Sequence, residues 1–164
     1  MIARWTLSRG IGRPVERLHK DLRELLGLFR SNDVEFLVVG GHAVAFHGYP
    51  RFTEDIDCFV RQSNENGARI VRALREFGFA SLGVDAADFV ADDRMIQLGR
   101  APNRVNLLTR LYDITFDDAW TTKVAGEIDG IPVWFIDRDS LLRNKRATGR
   151  PQDLADVDFI ERLR

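Results

Sequence analysis

Between residues 36 and 57 the chain runs from Phe36-Leu37-Val38-Val39 into Gly40-Gly41 and then, after thirteen intervening residues, into Asp55-Ile56-Asp57. An unbroken apolar run that ends in paired glycines fits a buried strand closed by a sharp turn. Residues without a Cβ let backbone N–H groups come close to whatever docks at such a turn. Side chains of a strand alternate between its faces, so over residues 55–60 both aspartates point to one side. Two like charges on one face of an apolar strand need a cation or a basic partner. Without one, repulsion and desolvation raise a pKa or destabilise the strand. A phosphate beside the glycines and a divalent cation beside the acids would meet both requirements.

At 164 residues the chain has the size of one domain, expected over residues 14–164 behind a loose leader at 1–13. The net charge of −1 gives no global attraction to polynucleotides, so such a partner would need a local basic patch. The single cysteine, Cys58, excludes an internal disulfide. The first residues lack the apolar stretch of a secretory signal and no window is long enough to span a bilayer. The expectation is a cytoplasmic protein with no membrane partner.

Apolar residues at helical spacing (Val15, Leu18, Leu22, Leu25, Leu26, Phe29) predict an amphipathic helix over 14–31. Strands are expected at 35–39 and 55–60, with one or two helical turns at 41–46 between them. Ser63 caps a helix whose buried stripe is Ile70, Val71, Leu74 and Phe77, ending at Gly78. A short helix at 85–90 precedes strands at 95–98 and 104–108. A helix at 116–121 follows, then a hairpin, 123–128 and 131–136, around Asp129-Gly130. Asp137 or Asp139 caps a helix through Arg146 that Gly149 ends, and Pro151 opens the last one. This order predicts an α/β (α+β) fold, a mixed β-sheet backed by helices with two helices at the C-terminus.

Asn106 alternates with Val105 and Leu107 and, if its strand lies beside 55–60, shares the carboxylate face. The set Val39-Gly40-Gly41, Asp55-Ile56-Asp57 and Val105-Asn106-Leu107 resembles the signature of the nucleotidyltransferase superfamily related to DNA polymerase beta. Residues 40–57, GGHAVAFHGYPRFTEDID, are similar to the bacterial minimal-nucleotidyltransferase-like proteins, among them abortive-infection toxins of toxin–antitoxin systems. Residues 144–156, NKRATGRPQDLAD, are similar to the C-terminal motif of the same proteins. The resemblance implies a nucleotidyltransferase fold in which Asp55 and Asp57 hold Mg²⁺ (or Mn²⁺) against the phosphates of a nucleoside triphosphate. Gly40 and Gly41 would cradle phosphate, with Arg51, Thr53 and Lys145 as further nucleotide contacts. A nucleoside monophosphate would pass to a hydroxyl of RNA, protein or a small molecule, and an antitoxin is an implied partner.

The family's third acid, on the neighbouring strand, is replaced here by Asn106, which completes the candidate catalytic set Asp55, Asp57 and Asn106. An amide oxygen can ligate a metal but brings no charge and takes no proton at neutral pH. General-base assistance contributes a factor of about 10² to 10⁴, so the alternative is a catalytically inactive nucleotide- or partner-binding member. Asp92, Asp93 and Asp113 are the nearby acids that would substitute. Simpler roles compete for several residues. Arg51 and Arg104 can pair with the aspartates, and Thr53 can fix its loop through the hydroxyl. Asp153 and Asp156, on one helix face, can hold Lys145 or Arg150. His42 and His47 are spaced for structural hydrogen bonds rather than zinc.

Overall fold

The computed structural model describes residues 20–100 and 103–163; the leader at 1–13 and the expected start of the first helix lie outside them. The described elements are α1 (Lys20–Ser31), β1 (Phe36–Val39), α2 (Gly40–Phe46), β2 (Asp55–Val60) and α3 (Asn64–Phe77), followed by β3 (Met95–Arg100) and β4 (Asn103–Leu108). Then come α4 (Phe116–Thr121), β5 (Val124–Ile128), β6 (Ile131–Phe135), α5 (Arg138–Thr148) and α6 (Pro151–Arg162). The strands form one six-stranded mixed sheet in the order β3-β4-β2-β1-β6-β5, as an α+β fold requires.

Local chemistry explains most boundaries. The Ser63 hydroxyl accepts from Asn66 N at 3.0 Å at the start of α3, and Asp137 does the same for Ser140 N at the start of α5. The region after α3 is tighter than the expected helix at 85–90. It holds two 3₁₀ turns, Ala80–Leu82 and Ala86–Phe89, the second closed by reciprocal hydrogen bonds between Asp85 and Asp88. Strands β3 and β4 extend further toward each other than expected, with Arg100 opposite Asn103.

Two pairings position the site. β1 lies antiparallel to β2, with Val39 opposite Asp57, and β2 lies parallel to β4, with Asp57 opposite Asn106. Parallel neighbours require a long crossover, here one that passes through α3 and β3. The second face of the same strands carries Ile56, Cys58, Val105 and Leu107, all buried. The buried amide of Asn66 fastens the crossover to the sheet: its Oδ1 accepts from Glu35 N at 2.8 Å, and its Nδ2 donates to the carbonyls of Glu35 and Arg61 at 3.0 Å. Among the described residues, no helix is long and apolar enough to cross a membrane.

Candidate active site

The parallel register places Asp55 beside Arg104 and Asp57 beside Asn106, so all four side chains share one face of the sheet. Asp57 Oδ1 accepts from Asn106 Nδ2 at 2.7 Å, and Asp55 Oδ2 accepts from Arg104 Nη2 at 2.5 Å. Three atoms of this cluster are buried without a partner: Asp55 Oδ1, Asn106 Oδ1 and Arg104 Nε. A buried polar atom left unsatisfied costs about 1–3 kcal/mol, so two orphaned oxygens on adjacent strands suit an oxygen-seeking cation. Burial pushes the Asp57 carboxyl up, and neighbouring Asp55 adds to this. The Asn106 hydrogen bond and the charges of Lys145 and Arg150 oppose it, and the net direction is up. A bound cation would reverse that cost.

The glycine corner is shaped by these acids. Gly40 has φ of +62°, and a Cβ there would lie 2.1 Å from Asp57 Oδ2. A Cβ on Gly41 would lie 2.6 Å from Thr53 Oγ1. Asp57 and Thr53 therefore rest directly on the two glycines, and a side chain at either position would have to displace them. The Thr53 hydroxyl donates to the Asp55 carbonyl at 3.2 Å, fixing the loop before β2.

A cleft of about 320 Å³ opens between Val39, Gly40 and Asp57 on one side and Leu141, Asn144, Lys145 and Thr148 of α5 on the other. Asp93, Arg94, Arg110, Tyr112, Arg150 and Asp153 also line it. Of the residues expected from the sequence, the cleft brings together Gly40, Asp57 and Lys145. Gly41, Arg51, Thr53, Asp55 and Asn106 are not among its lining residues.

Lys145 is buried, its ammonium 2.9 Å from Asp153 Oδ1 and 2.8 Å from Asp156 Oδ2. Arg51 grips Asp156 with two hydrogen bonds, 2.9 and 3.0 Å, and Arg150 Nε donates to Asp153 Oδ2 at 2.7 Å. Burial works to raise both acids, but their hydrogen bonds and the Lys145 charge outweigh it, and both carboxyls are held below the usual range. The two basic residues expected at the nucleotide, Arg51 and Lys145, are thus engaged in a buried network. Arg150, whose side chain is 74% exposed against 24% for Arg51, is the most solvent-accessible cation of this cluster.

Among the acids considered as replacements for a third carboxylate, Asp93 alone lines the cleft; Asp92 accepts from Gln62 Nε2 and Asp113 holds Arg143. Arg94, Arg110 and Tyr112 escaped the sequence reading because they belong to no spaced motif, and Asn144 was read only as part of the 144–156 motif, with no role of its own. Burial pushes the His42 imidazole down, and His47 Nε2 donates to the Ile136 carbonyl at 2.7 Å, a structural hydrogen bond. Among the described residues, no group of three or more His, Cys, Asp or Glu side chains comes together as a metal cluster. The site offers two carboxylates and one amide.

The mixed sheet with a glycine corner at the end of β1 and paired aspartates on β2 defines a nucleotidyltransferase-like protein. A family model described as "Nucleotidyltransferase of unknown function (DUF6036)" matches residues 15–161, and the chain belongs to that family. The fold is similar to that of a candidate nucleotidyltransferase from Thermotoga maritima, with 18% identity over 87% of this chain and 91% of that chain and a TM-score of 0.55. An antigenic nucleotidyltransferase-like protein from Paracoccidioides brasiliensis matches with 18% identity over 87% of this chain and 77% of that chain, at a TM-score of 0.49. None of the curated proteins matches the chain significantly.

Proposed function

We propose that this chain transfers a nucleoside monophosphate from a nucleoside triphosphate to a hydroxyl acceptor in a Mg²⁺-dependent reaction in the cytoplasm. The observation that carries the reading is the seating of Asp57 on Gly40 at the wall of a cleft whose other side presents Lys145 and Arg150. Asp55 and Asp57 would hold the ion, and the orphaned oxygens beside them fit that role. Magnesium, when bound there, supplies charge neutralisation for the triphosphate. The acceptor oxygen forms a bond to the α-phosphorus while the bond to pyrophosphate breaks, and the hydroxyl proton is released. Gly40 and Gly41 offer backbone N–H groups to phosphate, and Arg150 is placed to meet the negative chain. Lys145 contributes charge from within its network, whereas Arg51 and Thr53 act by fixing the loop that delivers Asp55. RNA, protein and small-molecule acceptors are all compatible with this chemistry, as is pairing with an antitoxin.

A specific observation favours a second reading. The Asn106 amide donates to Asp57 and offers no base for the acceptor proton, which suits a nucleotide-binding member that does not turn over. Two measurements separate the readings. Calorimetric titration with Mn²⁺ and the four triphosphates is expected to show metal-dependent binding that Asp57→Asn abolishes; unchanged binding in that variant removes the proposal. Transfer of an α-phosphate label to cell extract then distinguishes enzyme from binder. Asn106→Asp is expected to raise the transfer rate by about a hundredfold, the lower end of the general-base range.

A further inference from the structure

We infer that Arg104 is a built-in cation of the carboxylate face and that the site therefore holds one divalent ion rather than a pair. This rests on the nucleotide-site reading above. The register puts Arg104 directly across from Asp55, on the same face as Asp57 and Asn106. Its Nη2 lies 2.5 Å from Asp55 Oδ2, so one of the four carboxylate oxygens on this face is already committed to a fixed positive charge. A second, Asp57 Oδ1, is committed to the Asn106 amide at 2.7 Å. What stays open is Asp55 Oδ1, Asp57 Oδ2 and the neutral Asn106 Oδ1, the first and last of them buried without partners.

Two divalent ions a few ångströms apart need bridging carboxylate charge to offset their repulsion. Here two carboxylates carry two negative charges, and the Arg104 guanidinium neutralises one of them in place. The single negative charge that is left is already exceeded by one divalent ion, so a second would be met by no protein charge on this face. A guanidinium keeps its proton throughout and ligates no water, so Arg104 supplies positive charge and orients Asp55, and it generates no nucleophile. It is a positioning residue for the metal-binding acid and sets the number of ions the face accepts. Asn106 belongs to the same arrangement, since a carboxylate at 106 would bring the face to a net charge of −2 while Arg104 remains, which one divalent ion matches and a second exceeds.

Electron paramagnetic resonance of Mn²⁺ with the intact chain and an α,β-methylene triphosphate tests this, because the spectrum distinguishes an isolated ion from an exchange-coupled pair. The native chain is expected to bind one Mn²⁺ per molecule with the six-line pattern of an isolated ion. Asn106→Asp alone is expected to remain at one. Arg104→Met combined with Asn106→Asp is expected to bind two with a coupled spectrum, and Arg104→Gln with Asn106→Asp serves as the second variant should the first fail to fold. A coupled pair in the native chain overturns the inference and leaves the nucleotide-site reading standing. Retention of a single ion in a folded double variant also overturns it. No protein-bound Mn²⁺ in the native chain overturns the nucleotide-site reading itself and this inference with it.

Discussion

Gly40 couples backbone conformation to the chemistry of Asp57. Its φ of +62° lies in the left-handed region, and the space where a side chain would start is filled by the Asp57 carboxylate. Placing an L-residue there costs about 1–2 kcal/mol in backbone strain, and the carboxylate must also swing away. Gly40→Ala is therefore expected to lower the urea-unfolding free energy by about that amount and to abolish Mn²⁺ binding, which calorimetry on the folded variant reads separately. The aspartates and the glycines were legible in the sequence because their spacing is local to one strand and one turn, whereas Asn106, 49 residues from Asp57, depended on the family resemblance to put its strand beside β2. The roles of Arg51 and Lys145 were less so. Both carry the charge a nucleotide needs, but whether a cation faces a ligand or a buried acid is decided by tertiary partners, here Asp153 and Asp156.

At the scale of elements, the sequence announced what local rules govern. The Asp129-Gly130 hairpin, the Ser63 and Asp137 caps and the break between α5 and α6 all stand where turn and capping residues lie. What it could not announce was which contacts form across long separations: the Asn66 tie to the Glu35 backbone joins residues 31 positions apart, and Arg51, offered like Arg104 as a partner of the β2 aspartates, spans 105 to reach Asp156 instead. The α5–α6 corner provides a control for the glycine argument. Gly149 also has positive φ, at 69°, but a Cβ there would meet only the Arg146 carbonyl at an ordinary 3.7 Å. Gly149→Ala should cost about 1 kcal/mol of stability from strain alone and leave Mn²⁺ affinity unchanged. Comparable loss of metal affinity in this variant and Gly40→Ala would show that Asp57 displacement is not the cause.

Across the whole molecule, the ion network between α5, α6 and the loop before β2 governs the response to acid. Asp153 and Asp156 have lowered pKa values in the folded state, so their contribution is complete above the ordinary carboxyl pKa of about 3.9. It is lost as the pH falls through their lower native values. Asp57 has the opposite sign: its raised native pKa favours folding below the ordinary value, and that advantage disappears as the pH rises through the native one. Urea midpoints should therefore drop steeply below about pH 4. Metal-free Asp57→Asn should be more stable than the native chain at neutral pH, with the gap closing on acidification. Lys145→Met, which leaves two buried carboxylates short of a cation, should cost about 3–5 kcal/mol at neutral pH. A loss under 1 kcal/mol would mean that Arg51 and Arg150 suffice on their own.

The final helix consequently behaves as a keystone. Asp153 and Asp156 are the counter-charges for a lysine on the preceding helix and for arginines on both sides of the cleft's framework. A shortened chain ending before residue 153 would strand Lys145 and Arg51 in low dielectric. Collapse of the architecture would then precede any change in chemistry. Inactivity of such a truncate would speak of folding, and only point changes on the sheet face can interrogate the reaction.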